Sequence, residues 1–228
     1  MSDDGRVAIV AGAGGELGRA TALTLTDRGF TVVGVDRTEA GLKELPDGIG
    51  REVADTTDPD GARAVVDAVA EQAGPPAVLV NTVGAYLTGD AVDTTPDAWR
   101  LMLDVNLGPA LWLSQAAAPH MQRLGSGVIV HVSGRPGVEP AAGQAAYAVS
   151  KAALVHLTRV LDVELRPKGI RVNAVVPQLL DTARNRSFLP PELMAQAVAP
   201  QAIAELIAYL VSDSAAPVNG AVVPAYGN

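Results

Sequence analysis

The sequence predicts an α/β protein: a doubly wound parallel sheet with helices on both faces, built as a single domain over residues 1–228. Three observations predict it. Short β-branched runs alternate with longer segments of helical period, the pattern of repeated βαβ units. Helix starts are marked by a capping side chain ahead of proline. The 228 residues, 48% hydrophobic, are enough for one well-buried core, and no internal repeat, low-complexity tract or linker divides them.

The first run, Val7–Val10, passes into AGAGGELGRA, with glycines at 12, 14, 15 and 18 at the opening of a helix. Gly12 and Gly15 suit a tight turn and a close backbone approach to a diphosphate seated at the helix N-terminus, and Gly18 suits close helix–strand packing. A glycine-rich βα turn alone is a weak signal. Its position between the first strand and the first helix, followed by Asp36 at the end of the second run, Thr31–Val35, makes it a dinucleotide-site candidate. The Asp36 carboxylate would accept hydrogen bonds from ribose hydroxyls and repel a 2′-phosphate, favouring NAD(H). Arg37 beside it offers a guanidinium that could turn toward a phosphate, so NADP(H) stays open.

Further along, Asp58 before Pro59 and Thr95 before Pro96 each place a cap ahead of proline at the first helical position. Strand-like runs follow at Val78–Val80, Val128–Val132 and Arg171–Val176. The proline-rich stretch Phe188–Pro200 interrupts the pattern once, late. It reads as part of a loop or lid at about 182–200, because too little chain follows for another domain.

Composition excludes several classes. A formal charge of −8 without a basic cluster disfavours nucleic acid and anionic membranes as partners. The start MSDDGRVAIV has no basic, apolar signal pattern, and no apolar run approaches the roughly 18 residues that span a bilayer, so a cytoplasmic location is expected. The absence of cysteine removes disulfides and thiolate chemistry. His120, His131 and His156 have no carboxylate companions at ligand spacing, so no metal is assigned and packing or surface roles are expected. Trp99 and Trp112, on predicted helices, are assigned to core or subunit packing, whereas Tyr86 could equally pack in the core or stack on a planar substrate.

The chemistry-bearing stretch is HVSGRPGVEPAAGQAAYAVSK, residues 131–151. Tyr147 and Lys151 lie four apart, on one face of a helix. A phenol titrates near 10 in water, so a neighbouring ammonium that stabilises phenolate would bring it toward the working range of an acid/base.

With the glycine turn, Asp36 and Tyr-x-x-x-Lys in this order, the chain from about residue 6 to 226 resembles the short-chain dehydrogenase/reductase family. The resemblance implies a Rossmann-type fold. It also implies an oxidoreductase whose tyrosine, Tyr147, exchanges a proton with the substrate oxygen while nicotinamide exchanges a hydride. Lys151 would tune that phenol and hold ribose, and Asn106, in LDVNL, would support the proton relay. Asp55 and Thr56 match the pair beside the adenine. Asn81 and Gly84 carry over from the family's NNAG to the NTVG of this chain, with Thr82 and Val83 as departures. Pro177 matches the family's Pro-Gly, with Gln178 in place of the glycine, and Thr182 matches the threonine near the nicotinamide amide. The same segments place Glu16, Leu17 and Leu180 at the cofactor. The family's substrate-polarising serine, thirteen residues before the tyrosine, falls on Gly134. Ser133 is adjacent; strand alternation turns it to the other face unless a bulge or loop shift brings it in.

GAGGELG and LLDTARNRSFLP look like the dihydropteridine reductase branch, which lacks that serine and reduces a quinonoid pterin. Ala183, Leu189 and Asn106 depart from that branch. The expected function is therefore NAD(H)-preferring hydride transfer to or from a carbonyl or quinonoid compound. A catalytically idle dinucleotide-binding regulator is the alternative, and a dehydratase or epimerase using the cofactor transiently is a third reading. Family likeness implies a homotetramer or homodimer.

Overall fold

The computed structural model describes residues 5–227. β1 (Val7–Ala11) leads through the glycine turn into α1 (Glu16–Asp27), followed by β2 (Thr31–Asp36), the single turn α2 (Glu39–Leu42) and β3 (Gly50–Val53). Next come α3 (Pro59–Gln72), β4 (Pro76–Asn81), α4 (Pro96–Asn106), α5 (Gly108–Leu124) and β5 (Gly127–Val132). α6 (Ala145–Leu165), β6 (Ile170–Pro177), α7 (Ala183–Phe188), α8 (Pro191–Met194), α9 (Pro200–Val211) and β7 (Val222–Ala225) complete the fold. Both expected caps form: the Asp58 carboxylate accepts from Gly61 N–H at 2.9 Å and the Thr95 hydroxyl from Ala98 N–H at 3.2 Å. Each satisfies a first-turn donor that the helix itself cannot pair.

The seven strands form one parallel sheet in the order β3-β2-β1-β4-β5-β6-β7. Every residue of β1, β4 and β5 is buried, as a sheet covered on both faces requires. Successive side chains alternate between two cores. Ala8 and Val10 join Leu25 of α1 and Ile207 of α9 on one face; Val7, Ile9 and Ala11 join Val66 of α3 and Leu113 of α5 on the other. The outermost strands, β3 and β7, are additions to the five strand runs read from the sequence. Neither advertises itself: GREV is mostly exposed, and VVPA carries Pro224, tolerated because an edge strand needs fewer donors.

The chain runs outward from β1 to β3 and then returns to start a second series at β4, so the topological switch point lies between β1 and β4. Crevices for dinucleotides form there, outside the carboxyl ends of the strands. Residues 178–199 leave β6 and return to α9 as a loop holding α7 and α8. It is closed at its base where Asp181 N–H donates to Val198 O (2.9 Å) and Val198 N–H to Leu179 O (2.8 Å). Among the described residues no helix is long and apolar enough to cross a membrane.

Candidate active site

The glycine turn sits at the switch point. Gly12 has φ +82°, the left-handed region that favours glycine, and a Cβ there would lie 2.6 Å from the Thr82 hydroxyl. Thr82, a departure from the family pattern, binds the ends of β1 and β4 together: its hydroxyl and its N–H both donate to Ala11 O, at 2.8 and 2.9 Å. Gly18 meets the Gly12 carbonyl so closely that no side chain fits between them. Gly15 is the N-cap of α1, with its N–H donating to Gly12 O at 3.0 Å. Glu16 and Leu17 then open the helix.

Asp36 at the end of β2 lies against this turn, accepting from Gly14 N–H (3.0 Å) and Thr38 N–H (3.3 Å). Gly14 was not singled out in the sequence, although the doubled glycine was its visible signal. A carboxylate has roughly four acceptor positions, so two remain for ribose hydroxyls. Arg37 is exposed, and its charge reaches Asp55, whose carboxyl is held below its usual range chiefly by hydrogen bonds from Thr57. Thr56 beside it is buried.

At the end of β4, the Asn81 carbonyl accepts from Val83 N–H at 3.1 Å, while its buried amide nitrogen has no protein partner. Gly84 then makes room for two polar groups. A Cβ on it would lie 2.9 Å from Asn106 Oδ1 and 3.1 Å from Lys151 Nζ. Asn106, fully buried at the end of α4, bonds both main-chain groups of Ala85: N–H to Oδ1 at 2.9 Å and Nδ2 to C=O at 3.1 Å. Its amide also donates to Ser150 Oγ, which in turn donates to the Tyr147 carbonyl. The asparagine therefore ties the loop after β4 to the helix that carries the Tyr–Lys pair.

Lys151 is buried, with Nζ donating to Val132 O at 3.1 Å and lying 6.0 Å from the Tyr147 ring centroid. Burial pulls its pKa down to about 8. The expected lowering of the Tyr147 pKa does not appear in this geometry. Burial first, and the facing Tyr86 second, push that phenol up to about 12. Tyr86 meets Tyr147 edge to face, with centroids 4.9 Å apart and planes at 85°, and stays 45% exposed. It belongs to the site wall and not to the core.

Ser133 is not brought to the phenol. Its buried hydroxyl donates to the Lys151 carbonyl at 3.0 Å, a link from β5 to α6. No bulge rescues it: the extended backbone of Gly134 (φ −170°, ψ 153°) keeps strand alternation, so positions 133 and 134 face opposite ways. A Cβ at 134 would lie 2.8 Å from Tyr147 Oη. The phenol thus fills the space that a side chain at 134 would need.

Beyond β6, Pro177 leads to Gln178, whose carbonyl accepts from Arg135 Nη1 at 2.8 Å; the Arg135 guanidinium also stacks over Tyr226 at 4.8 Å. No local pattern in the chain joins these three residues, which lie at positions 135, 178 and 226. Leu180 pairs with Val198 at the base of the loop between β6 and α9. The Thr182 hydroxyl caps α7 by accepting from Asn185 N–H at 3.2 Å. Trp99, read as a packing residue, is 39% exposed beside a groove of about 350 Å³ with Pro96 and Ala145.

The family comparison agrees with this architecture. Residues 6–192 match the short chain dehydrogenase family, and the chain belongs to it. It is 32% identical to the 3-oxoacyl-[acyl-carrier-protein] reductase of Salmonella typhimurium, over 96% of this chain and 95% of that one. It is 30% identical to the meso-2,3-butanediol dehydrogenase of Serratia marcescens, over 100% and 95%. Among solved structures, NAD+-bound xylitol dehydrogenase superposes with TM-score 0.91 at 25% identity, covering all of both chains. A protein assigned as an NAD(P)-dependent gluconate 5-dehydrogenase from Beutenbergia cavernae, with NADP at low occupancy, superposes with TM-score 0.89 at 33% identity over 98% and 96%. The protein is an NAD(P)-dependent short-chain oxidoreductase.

The residues present fit a nicotinamide dinucleotide: an open carboxylate at Asp36, an unpaired buried amide at Asn81, and an ammonium at Lys151 all border the switch-point crevice. The relatives in view are acyl, diol and polyol oxidoreductases; a dihydropteridine reductase branch is not shown by them.

Proposed function

We propose that this enzyme prefers NAD(H) and interconverts a carbonyl and an alcohol, with Tyr147 as the proton-transferring group. The observation that carries the reading is the Tyr147 phenol, half-buried beside Lys151 and against Gly134 at the mouth of the switch-point crevice. Bound nicotinamide supplies or accepts the hydride. At neutral pH a phenol pushed up to about 12 is protonated, so the resting site is set to donate a proton to the oxygen of a carbonyl undergoing reduction. In the oxidative direction the phenolate must form, and the Lys151 ammonium is the nearby charge that favours it. Asn106 fixes the Ala85 main chain and Ser150, and through them the position of the tyrosine helix. Asp36 supports the NAD(H) preference, since its charge opposes a 2′-phosphate.

Gly134 favours a second reading for the substrate. Without a second hydroxyl at that position, an accepting group already electron-poor, such as a quinonoid or pterin-like system, loses less than a simple ketone does. The chain is proposed to act as a homodimer or homotetramer.

The test is a cofactor-oxidation panel with NADH and NADPH over 3-oxoacyl thioesters, α-diketones, keto-sugars and a quinonoid dihydropterin. Tyr147→Phe is run alongside. One class should turn over at least about a hundredfold faster than in Tyr147→Phe, whose NADH affinity should be unchanged. Binding without Tyr147-dependent turnover in any class would sink the proposal in favour of an idle regulator.

A further inference from the structure

Glu16 opens α1 at the point where the glycine turn would seat a diphosphate, yet its carboxylate points elsewhere. Oε1 accepts a hydrogen bond from Ala183 N–H at 2.8 Å, joining residues 167 positions apart. Ala183 is the first residue of α7, so the bond satisfies one of the donors that this short helix leaves unpaired, next to the Asn185 N–H already taken by Thr182. Among the described residues, the other hydrogen bonds of α7 stay within the loop: Arg186 grips Asp181 with two contacts at 2.6 and 2.7 Å, and Asn185 Nδ2 donates to Leu180 O at 2.8 Å. The loop is thus internally braced, stitched at its base by Asp181 and Val198, and tied to the body of the fold at α7 by Glu16.

We infer that Glu16 is a positioning residue that latches α7 over the crevice, and that the same bond holds its carboxylate away from the diphosphate seat. Two costs are avoided by one contact. A free carboxylate at the start of α1 would compete for the positive helix end that an anionic cofactor needs, and an untied α7 would open the substrate side of the crevice. The latch itself stands on the geometry alone, whereas its bearing on the cofactor rests on the function proposed above.

Limited trypsin digestion of the full chain without cofactor reads the latch directly, because Arg184 and Arg186 lie within α7. Glu16→Ala should raise cleavage at these two arginines about tenfold, the loss of one charge-assisted hydrogen bond at a partly exposed site. Glu16→Gln keeps an acceptor and should stay within about threefold of the unsubstituted protein. Ala183→Pro removes the donor from the other end. Proline is tolerated at the first helical position and the preceding Thr182 is already extended, so α7 should persist while its cleavage rises as in Glu16→Ala. The double variant should be no more open than either single one. Cleavage of both single variants within about twofold of the unsubstituted chain, or fully additive effects, would overturn the latch. NADH titration of the same proteins separates the two ideas. Ala183→Pro, which releases the carboxylate at the head of α1, should bind NADH more weakly than Glu16→Ala, which removes it, and equal affinities would overturn the second role of the bond. Failure of the unsubstituted chain to bind NADH would count against the cofactor reading while leaving the digestion result in force.

Discussion

Gly134 offers the sharpest test of the site, because its backbone is ordinary and only its missing side chain matters. At φ −170° and ψ 153° any residue could occupy the position. A Cβ there, however, would stand 2.8 Å from Tyr147 Oη, whereas ordinary contact begins at 3.4 Å. Gly134→Ala must therefore move the phenol by roughly 0.6 Å, the difference between those two distances. Since a misplacement of about 1 Å can cost about a hundredfold, the smaller shift should lower kcat/KM by about tenfold on every substrate. Relief of the overpacked contact should cost about 1 kcal/mol or more of stability. Cofactor affinity should not change. Gly134→Ser carries the same displacement and adds a hydroxyl, so the informative comparison is serine against alanine. The hydroxyl should recover activity on simple ketones and recover little on a quinonoid acceptor, because polarisation by one donor is worth a few kcal/mol only where the carbonyl is unactivated. Steady-state kinetics on both substrate types, with calorimetric NADH binding, measures all of this. An alanine variant with unchanged kcat/KM would refute the idea that the phenol's place depends on the vacant 134 position.

Two further outcomes follow from the charges. Asp36→Asn keeps one acceptor oxygen, enough for Gly14 N–H or Thr38 N–H but not both, and loses the repulsion of a 2′-phosphate, so the ratio of NADH to NADPH affinity should fall by about tenfold; an unchanged ratio assigns cofactor choice elsewhere. Lys151 has its pKa drawn down by burial from 10.5 to about 8. Below pH 8 both folded and unfolded chains hold this proton, and the folded one bears the cost of a buried ammonium. Between pH 8 and 10.5 the unfolded chain binds more protons, so this residue's contribution to stability rises with pH. Relative to Lys151→Met, the unsubstituted protein should thus gain up to about 3 kcal/mol across that window, read as the difference in urea midpoints at pH 7 and pH 10.5. A flat difference would mean that the lysine keeps a solution-like pKa.

The sequence discloses most where one local rule governs and least where two distant segments meet. The five strand runs, the caps at Asp58 and Thr95 and the glycine turn each follow from neighbours along the chain, and each appears in the structure. β3 and β7 escape that logic because edge strands bury little and need no apolar alternation. The site divides the same way. The helical spacing of Tyr147 and Lys151 is visible in four residues, but the protonation of the pair is not. Phenol and ammonium are both shifted mainly by burial, which depends on how α6 packs against β5 and the loop after β4. Ser133 is decided by strand alternation, a local rule that the sequence already supplied and that the Lys151 carbonyl then exploits. Gly134 shows the limit of motif reasoning. By the family pattern it is a lost hydroxyl; in three dimensions it is the space into which the Tyr147 phenol fits, so restoring the serine would not simply restore the pattern. Glu16 goes further still, since a side chain in the glycine turn finds its partner 167 residues away on a loop whose own sequence names no such contact. Substitutions at 134 and 16 therefore have to be judged by what they displace and release, not by how closely they approach a consensus.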